Sequence, residues 1–97
     1  MNNEVQNILN QTDAGQRVFL HYGCTIGGST LSPLNPSDTK PSFNIYYNEK
    51  SGRYRFKDFG ENGIDSQGDC VDFVRKMFNL SFRDALIKII TDLKLKK

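Results

Sequence analysis

Two short runs of alternating residues, separated by a glycine-containing turn, constrain the fold of this chain more than any other feature. In the first run, apolar Phe43, Ile45 and Tyr47 alternate with Asn44, Tyr46 and Asn48. After the turn over 48–52, the second run alternates Tyr54 and Phe56 with Arg53, Arg55 and Lys57. Period-two patterns around a short turn of this kind predict a β-hairpin with one buried face and one polar face.

Helical periodicity surrounds this hairpin on both sides. A short helix is predicted over 4–11, and a second helix is predicted to start at an Asp13 N-cap, with Gln16 completing a capping box, and to end near Gly23. A third helix is expected to start at the N-cap Asp69, and a fourth at Ser81. The fourth has the clearest apolar stripe, formed by Phe82, Ala85, Leu86, Ile89, Ile90 and Leu93.

The connecting segments are rich in turn residues. The stretch 23–41 is predicted to be a loop with a candidate short strand over 30–34, and the stretch 60–68 to be a glycine-bearing loop. The predicted fold class is α+β: a small antiparallel sheet, consisting of the hairpin and a candidate third strand, flanked by N-terminal and C-terminal helices. At 97 residues the chain is expected to form a single domain over 1–97, or the N-terminal piece of a longer protein.

Composition says more about the cellular compartment of this protein than about its function. The net charge of +2 is only mildly basic, so it does not by itself indicate a nucleic-acid partner. The two cysteines are far apart in sequence, and neither a signal peptide nor an apolar run of membrane-spanning length is present. We therefore expect a cytoplasmic protein with no membrane partner and with reduced thiols, a single disulfide being the minor alternative.

Three segments, taken in order, resemble a known family. The first is SPLN over 32–35 followed by DTKPSF over 38–43, the second is YRFKDFGE over 54–61, and the third is GDCVDFV over 68–74 leading to LSFRDA over 80–85. The chain resembles the CHC2-type zinc-binding domain of bacterial and phage DNA primases, whose pattern is C-P-x-H, K-T-P-S-F, an aromatic strand ending C-x-x-C-G, G-D-x-x-x-F-V and L-S-F-x-E-A. The resemblance covers most of the chain and implies a zinc-ribbon-like primase finger.

The zinc ligands of that family are missing from this chain. Its four ligand positions fall on Ser32, Asn35, Asp58 and Glu61, and the hairpin between the two pairs is a few residues longer than in the family. Two carboxylates without a thiolate or imidazole do not make a structural zinc site. We therefore expect a degenerate finger without metal or other cofactor. Asp58 and Glu61 as a divalent-ion pair are the less favoured alternative.

The polar face of the hairpin is the candidate binding surface. Cations interleaved with an exposed ring suit single-stranded nucleic acid, because bases stack on aromatic side chains and Arg or Lys neutralise phosphates. The alternative without a ligand is that these cations only keep an exposed strand soluble. The predicted nucleic-acid-binding residues are Tyr46, Arg53, Arg55 and Lys57, with Lys40 from the TKPSF segment.

The resemblance implies a role in DNA replication of a phage or bacterial mobile element. The expected partners are a single-stranded DNA template and a primase catalytic domain or replicative helicase. The alternative is a metal-free protein-interaction domain that keeps the scaffold without binding DNA. No nucleophile–base arrangement is visible, so the chain is not expected to be an enzyme by itself. His21 and Cys24 have ligand-like spacing, but a histidine at a helix end and a small buried cysteine are the favoured interpretation.

Overall fold

The computed structural model describes residues 3–34, 41–59 and 65–97. These residues form four helices and a four-stranded antiparallel sheet, which confirms the predicted α+β class. The elements are α1 (Asn3–Gln11), α2 (Gln16–His21), β1 (Ser29–Thr30), β2 (Phe43–Asn48), β3 (Arg53–Phe59), β4 (Asp65–Asp69), α3 (Cys70–Phe78) and α4 (Phe82–Asp92). The strand order in the sheet is β1-β2-β3-β4.

The hairpin of β2 and β3 forms in the predicted register. Ile45 lies opposite Phe56, and Tyr46 lies opposite Arg55. The turn is closed by the Gly52 amide, which donates to the Asn48 carbonyl at 2.8 Å, and Gly52 takes the positive φ of 68° that a residue with a side chain avoids. Tyr47 faces the same side as Ile45 but is 49% exposed, because it lies at the turn end of the strand.

The two outer strands differ from the prediction. The candidate strand over 30–34 is only the pair Ser29–Thr30, which pairs with Asn44 and Phe43. The loop prediction over 60–68 is wrong for residues 65–68, because Asp65–Asp69 form β4 and pair with β3 from Arg55 to Phe59. The sequence DSQGD has little intrinsic strand preference, so the pairing with β3 decides its conformation.

The start of α2 is also different from the prediction. Asp13 does not cap this helix: α2 begins at Gln16, its N-cap is Gly15, and no side chain caps it. Asp13, Ala14 and Gly15 all have positive φ, of 53°, 60° and 95°. This tight turn directs the Ala14 carbonyl to the Tyr54 amide at 2.8 Å, so a contact with β3 replaces the expected capping box. The predicted end of α2 near Gly23 is confirmed: the helix ends at His21, and the Gly23 and Cys24 amides donate to the carbonyls of Leu20 and Phe19.

Both predicted caps of the C-terminal helices are confirmed. The Asp69 side chain accepts hydrogen bonds from the Val71 and Asp72 amides, and the Asp72 carboxylate accepts one from the Asp69 amide. The Ser81 hydroxyl accepts a hydrogen bond from the Asp84 amide at 3.1 Å. Local sequence therefore specifies where α3 and α4 begin.

Four phenylalanines join the helices to one face of the sheet. Phe43 and Phe56 of the sheet pack against Phe19 of α2 and Phe73 of α3, with ring centroids of the contacting pairs 5.4 to 6.5 Å apart. Ile8 and Leu9 of α1 and Ala85, Leu86 and Ile89 of α4 belong to the same buried core. The opposite face of the sheet is therefore the one on which a ligand could lie. No helix in the described part of the chain is both long and apolar enough to cross a bilayer.

Candidate nucleic-acid interface

The face of the sheet that points away from the helices carries most of the predicted binding residues. Directly opposed residues of antiparallel strands project to the same face. The register therefore places on one surface, here called the open face, Asn44, Tyr46, Asn48, Arg53, Arg55, Lys57, Phe59, Gln67 and Asp69. Of the five predicted binding residues, Tyr46, Arg53, Arg55 and Lys57 share this face, and Lys40 lies outside the described residues.

The Arg53 side chain forms an ion pair within the protein. Its Nη1 donates to Oδ2 of Asp69 at 3.0 Å, while Oδ1 of the same carboxylate accepts the amides of Val71 and Asp72. The Arg53 side chain is 27% exposed, and its Nε atom is buried with no partner among the described residues. Arg53 therefore links the hairpin to the start of α3, and its charge is offset by Asp69.

Arg55 and Lys57 are the cations of the open face that remain available. Neither forms an ion pair with any carboxylate of the described residues, and both are partly exposed. They project from the third strand of the sheet between the neighbouring strands β2 and β4. An uncompensated pair of cations at the centre of a sheet face attracts an anionic chain such as a phosphate backbone.

Aromatic residues lie beside these cations, one on the neighbouring strand and one further along β3. Tyr46 is opposite Arg55, and Phe59 follows Lys57 on the same face of β3. Phe59 is 49% exposed, and the Lys57 Nζ lies 4.7 Å from the centroid of its ring. Phe59 was not among the predicted binding residues, although its position two residues after Lys57 in an alternating strand was the signal that could have identified it.

Two of the four degenerate ligand positions lie together, and their chemistry does not fit zinc. The Ser32 hydroxyl donates to Oδ2 of Asp58 at 2.5 Å, and the Ser42 hydroxyl donates to Oδ1 at 3.1 Å. Ser32 and Asp58 are only 4% and 6% exposed. One carboxylate with two hydroxyls lacks the nitrogen and sulfur ligands that structural zinc requires. This cluster instead fastens the loop before residue 35 to the hairpin.

The other two ligand positions, Asn35 and Glu61, lie outside the described residues. The Asp58–Glu61 alternative therefore stays a prediction. Within residues 3–34, 41–59 and 65–97, no three His, Cys, Asp or Glu side chains are close enough to hold a metal ion.

The single histidine and the two cysteines have surroundings typical of structural residues. His21 is exposed at the end of α2, where its ring packs edge-on against Tyr22 at 4.9 Å. Both cysteines are free, and burial raises the pKa of Cys24 to about 11 and that of Cys70 to about 12. At neutral pH both are therefore protonated, which disfavours nucleophilic or metal-binding thiolate chemistry.

Comparison with known proteins finds no matching family model, no similar curated protein and no similar solved structure.

Proposed function

We propose that this chain is a nucleic-acid-binding module and that its open face binds single-stranded DNA. One observation supports the proposal above all. Arg55 and Lys57, which form no ion pair within the described residues, lie beside two aromatic rings, Tyr46 and Phe59, on the sheet face that the helices leave uncovered. Cations neutralise phosphates and rings accept stacked bases, so the face supplies both contacts that single-stranded binding requires.

Stacking of bases on protein rings favours a single strand over a duplex. Phe59 lies four positions after Arg55, which is opposite Tyr46. At about 3.3 Å per residue, the two rings are roughly 13 Å apart along the strand. A base that stacks on either ring must leave the base stack of a duplex, so the bound strand is unpaired at these bases. The phosphates between them would lie close to Arg55 and Lys57.

The biological role within this proposal follows from the resemblance to primase fingers. The chain would hold a DNA template for a primase catalytic domain or beside a replicative helicase, in the replication of a phage or mobile element. It would act as an accessory binding domain and would not carry out a reaction itself. The Ser32–Asp58–Ser42 cluster would replace zinc as the link between the loop and the hairpin.

Titration of a mixed-sequence single-stranded oligonucleotide at several salt concentrations tests the role of the cations. We expect weak, strongly salt-dependent binding. Arg55→Ala should lower the affinity and reduce the slope of log affinity against log salt by about 0.7, the contribution of one phosphate contact on a single strand. The matched control is Arg83→Ala, because Arg83 is an exposed arginine of α4 whose pairing with Glu4 is distant from the open face.

The role of the aromatic rings is tested by Tyr46, with its sequence neighbour Tyr47 as the control. Tyr46→Ala should weaken binding by about 1–3 kcal/mol through lost stacking, with the salt slope nearly unchanged. Tyr47→Ala should leave binding unchanged, because Tyr47 projects to the other face and packs against Tyr54 at 5.3 Å. Equal effects of the two tyrosine variants, or no shift of the β2 and β3 amide resonances on titration at low salt, would refute the proposal.

A different surface favours the alternative of a protein-interaction domain. Between α1 and α4 lies a groove lined by Leu86, Ile87 and Ile90, and Ile87 is 54% exposed. Apolar side chains grouped around a groove are typical of a surface that contacts another protein, whereas singly exposed apolar residues are ordinary. If the open face does not respond to DNA, this groove is where the alternative function would be sought.

A further inference from the structure

A polar cleft lies between β4 and α3, beside the open face. Its volume is about 450 Å³, and the residues that line it are Gln67, Asp72, Arg75, Lys76, Asn79 and Leu80. Arg75 and Lys76 are exposed, and neither is paired with a carboxylate of the described residues. The cleft therefore presents two cations to solvent.

Among the described residues that line the cleft, Asp72 is the one acidic group, and the protein already uses it. Oδ2 of Asp72 accepts the Asp69 amide at 3.1 Å, as the second half of the capping box of α3. Asp72 is half-buried at the start of the helix and interacts electrostatically with Arg75, whereas Arg75 and Lys76 lie in the last turn. With one capping carboxylate against two cations that form no ion pair within the described residues, this lining has a net positive charge.

The cleft is continuous with the open face through a single residue. Gln67 is paired with Lys57 across β3 and β4, which places it on the open face, and it also lines the cleft. A strand that follows β3 from Tyr46 and Arg55 to Lys57 comes level with Gln67, which lies opposite Lys57. The cleft that Gln67 lines then presents Arg75 and Lys76.

We propose that this cleft is a second nucleic-acid contact site, in which Arg75 and Lys76 bind the phosphates of the strand after it leaves the sheet. The inference rests on the proposed function and extends it. The open face holds a few nucleotides through Tyr46, Arg55, Lys57 and Phe59, and the cleft accounts for the additional affinity of a longer strand.

The test compares two oligonucleotide lengths. Arg75→Ala/Lys76→Ala is titrated with single-stranded DNA of about four and about sixteen nucleotides, the range of site sizes found for small single-strand-binding domains. The variant should bind the short strand as the unsubstituted protein does. With the long strand its salt slope should fall by about 0.7 for each lost contact, and its affinity should fall with it.

Two comparisons make the result specific. Lys96→Ala/Lys97→Ala removes the same charge from exposed lysines after α4, and it should leave both titrations unchanged. Circular dichroism should show that α3 is intact, because alanine is the best helix former and both replaced residues are exposed.

Failure of this inference can be told apart from failure of the proposed function. If Arg55→Ala weakens binding at both lengths but Arg75→Ala/Lys76→Ala changes neither, the cleft is not a contact site and the open face still is. If both double variants reduce the long-strand slope equally, the effect is one of net charge, and the inference is overturned. If Arg55→Ala has no effect at either length, the proposed function itself fails.

Discussion

At the scale of single residues, the Gly68–Asp69 pair shows how a short motif supports the start of α3. Asp69 caps the helix with one carboxylate oxygen and pairs with Arg53 through the other. Gly68 is buried, and a Cβ atom at this position would lie 2.5 Å from both the Cβ and the Oδ2 of Asp72. The glycine therefore lets the second half of the capping box lie against the backbone of β4.

Gly68→Ala should destabilise the protein by about 1–3 kcal/mol, the usual cost of adding atoms to a well-packed site. The free energy of unfolding, measured by chemical denaturation, checks this. In an Asp72→Gly background, which removes the atoms that the new methyl group meets, the same substitution should cost much less. An equal cost in both backgrounds would show that the close approach to Asp72 is not the reason for this glycine.

At the scale of elements, α4 has a buried side and an exposed side. Ala85, Leu86 and Ile89 are buried, whereas the neighbouring Ile87 is 54% exposed. The segment after α4 then returns to α1, where the Gln11 carboxamide donates to the Lys96 carbonyl at 2.7 Å and accepts the Lys96 amide at 2.8 Å. The C-terminal part of the described chain is thus fastened to the N-terminal helix.

Leu86→Ala should cost roughly 2–5 kcal/mol, because it leaves a cavity in the core between α4 and the rest of the protein. That is a large share of the total stability of about 5–15 kcal/mol typical of a small domain. Ile87→Ala on the same turn is the control and should change the free energy of unfolding by less than about 0.5 kcal/mol. A loss below about 0.5 kcal/mol for Leu86→Ala would mean that the packing of α4 is not as described.

At the scale of the whole molecule, we expect packing and buried hydrogen bonds to supply stability without a metal. Four packed phenylalanines join the sheet to the helices, and the buried Ser32–Asp58–Ser42 cluster fastens the loop to the hairpin. In zinc-binding modules of this size the metal often provides the folding free energy outright. We expect the apolar core and these hydrogen bonds to provide it in this protein.

A chelator should therefore leave the circular dichroism spectrum and the melting temperature unchanged. The measurement is a thermal melt with and without excess chelator, on protein purified without added metal. An elemental assay of the same sample is the control and should show no stoichiometric zinc. Unfolding on chelation, together with bound zinc, would contradict the expectation and would require ligands other than Ser32 and Asp58.

The sequence by itself determined the features that depend on neighbouring residues. The alternation of apolar and polar residues over 43–57 was sufficient to predict the hairpin and its register, because one face of the hairpin had to be apolar. The caps at Asp69 and Ser81 were sufficient for the starts of α3 and α4, because a capping side chain bonds amides two or three residues away. The same alternation predicted that one face of the hairpin carries Tyr46, Arg55 and Lys57.

Only the tertiary structure decided what depends on residues distant in sequence. Residues 65–69 form a strand because they pair with β3, although their intrinsic strand preference is weak. At α2, the hydrogen bond between Ala14 and Tyr54 accompanies a helix start that differs from the predicted N-cap at Asp13. The same holds for the Arg53–Asp69 ion pair and for the burial of Ser32 against Asp58. The physical reason is that hydrogen bonds and burial gained between distant segments can outweigh local preferences of a few tenths of a kcal/mol to about 1 kcal/mol per residue.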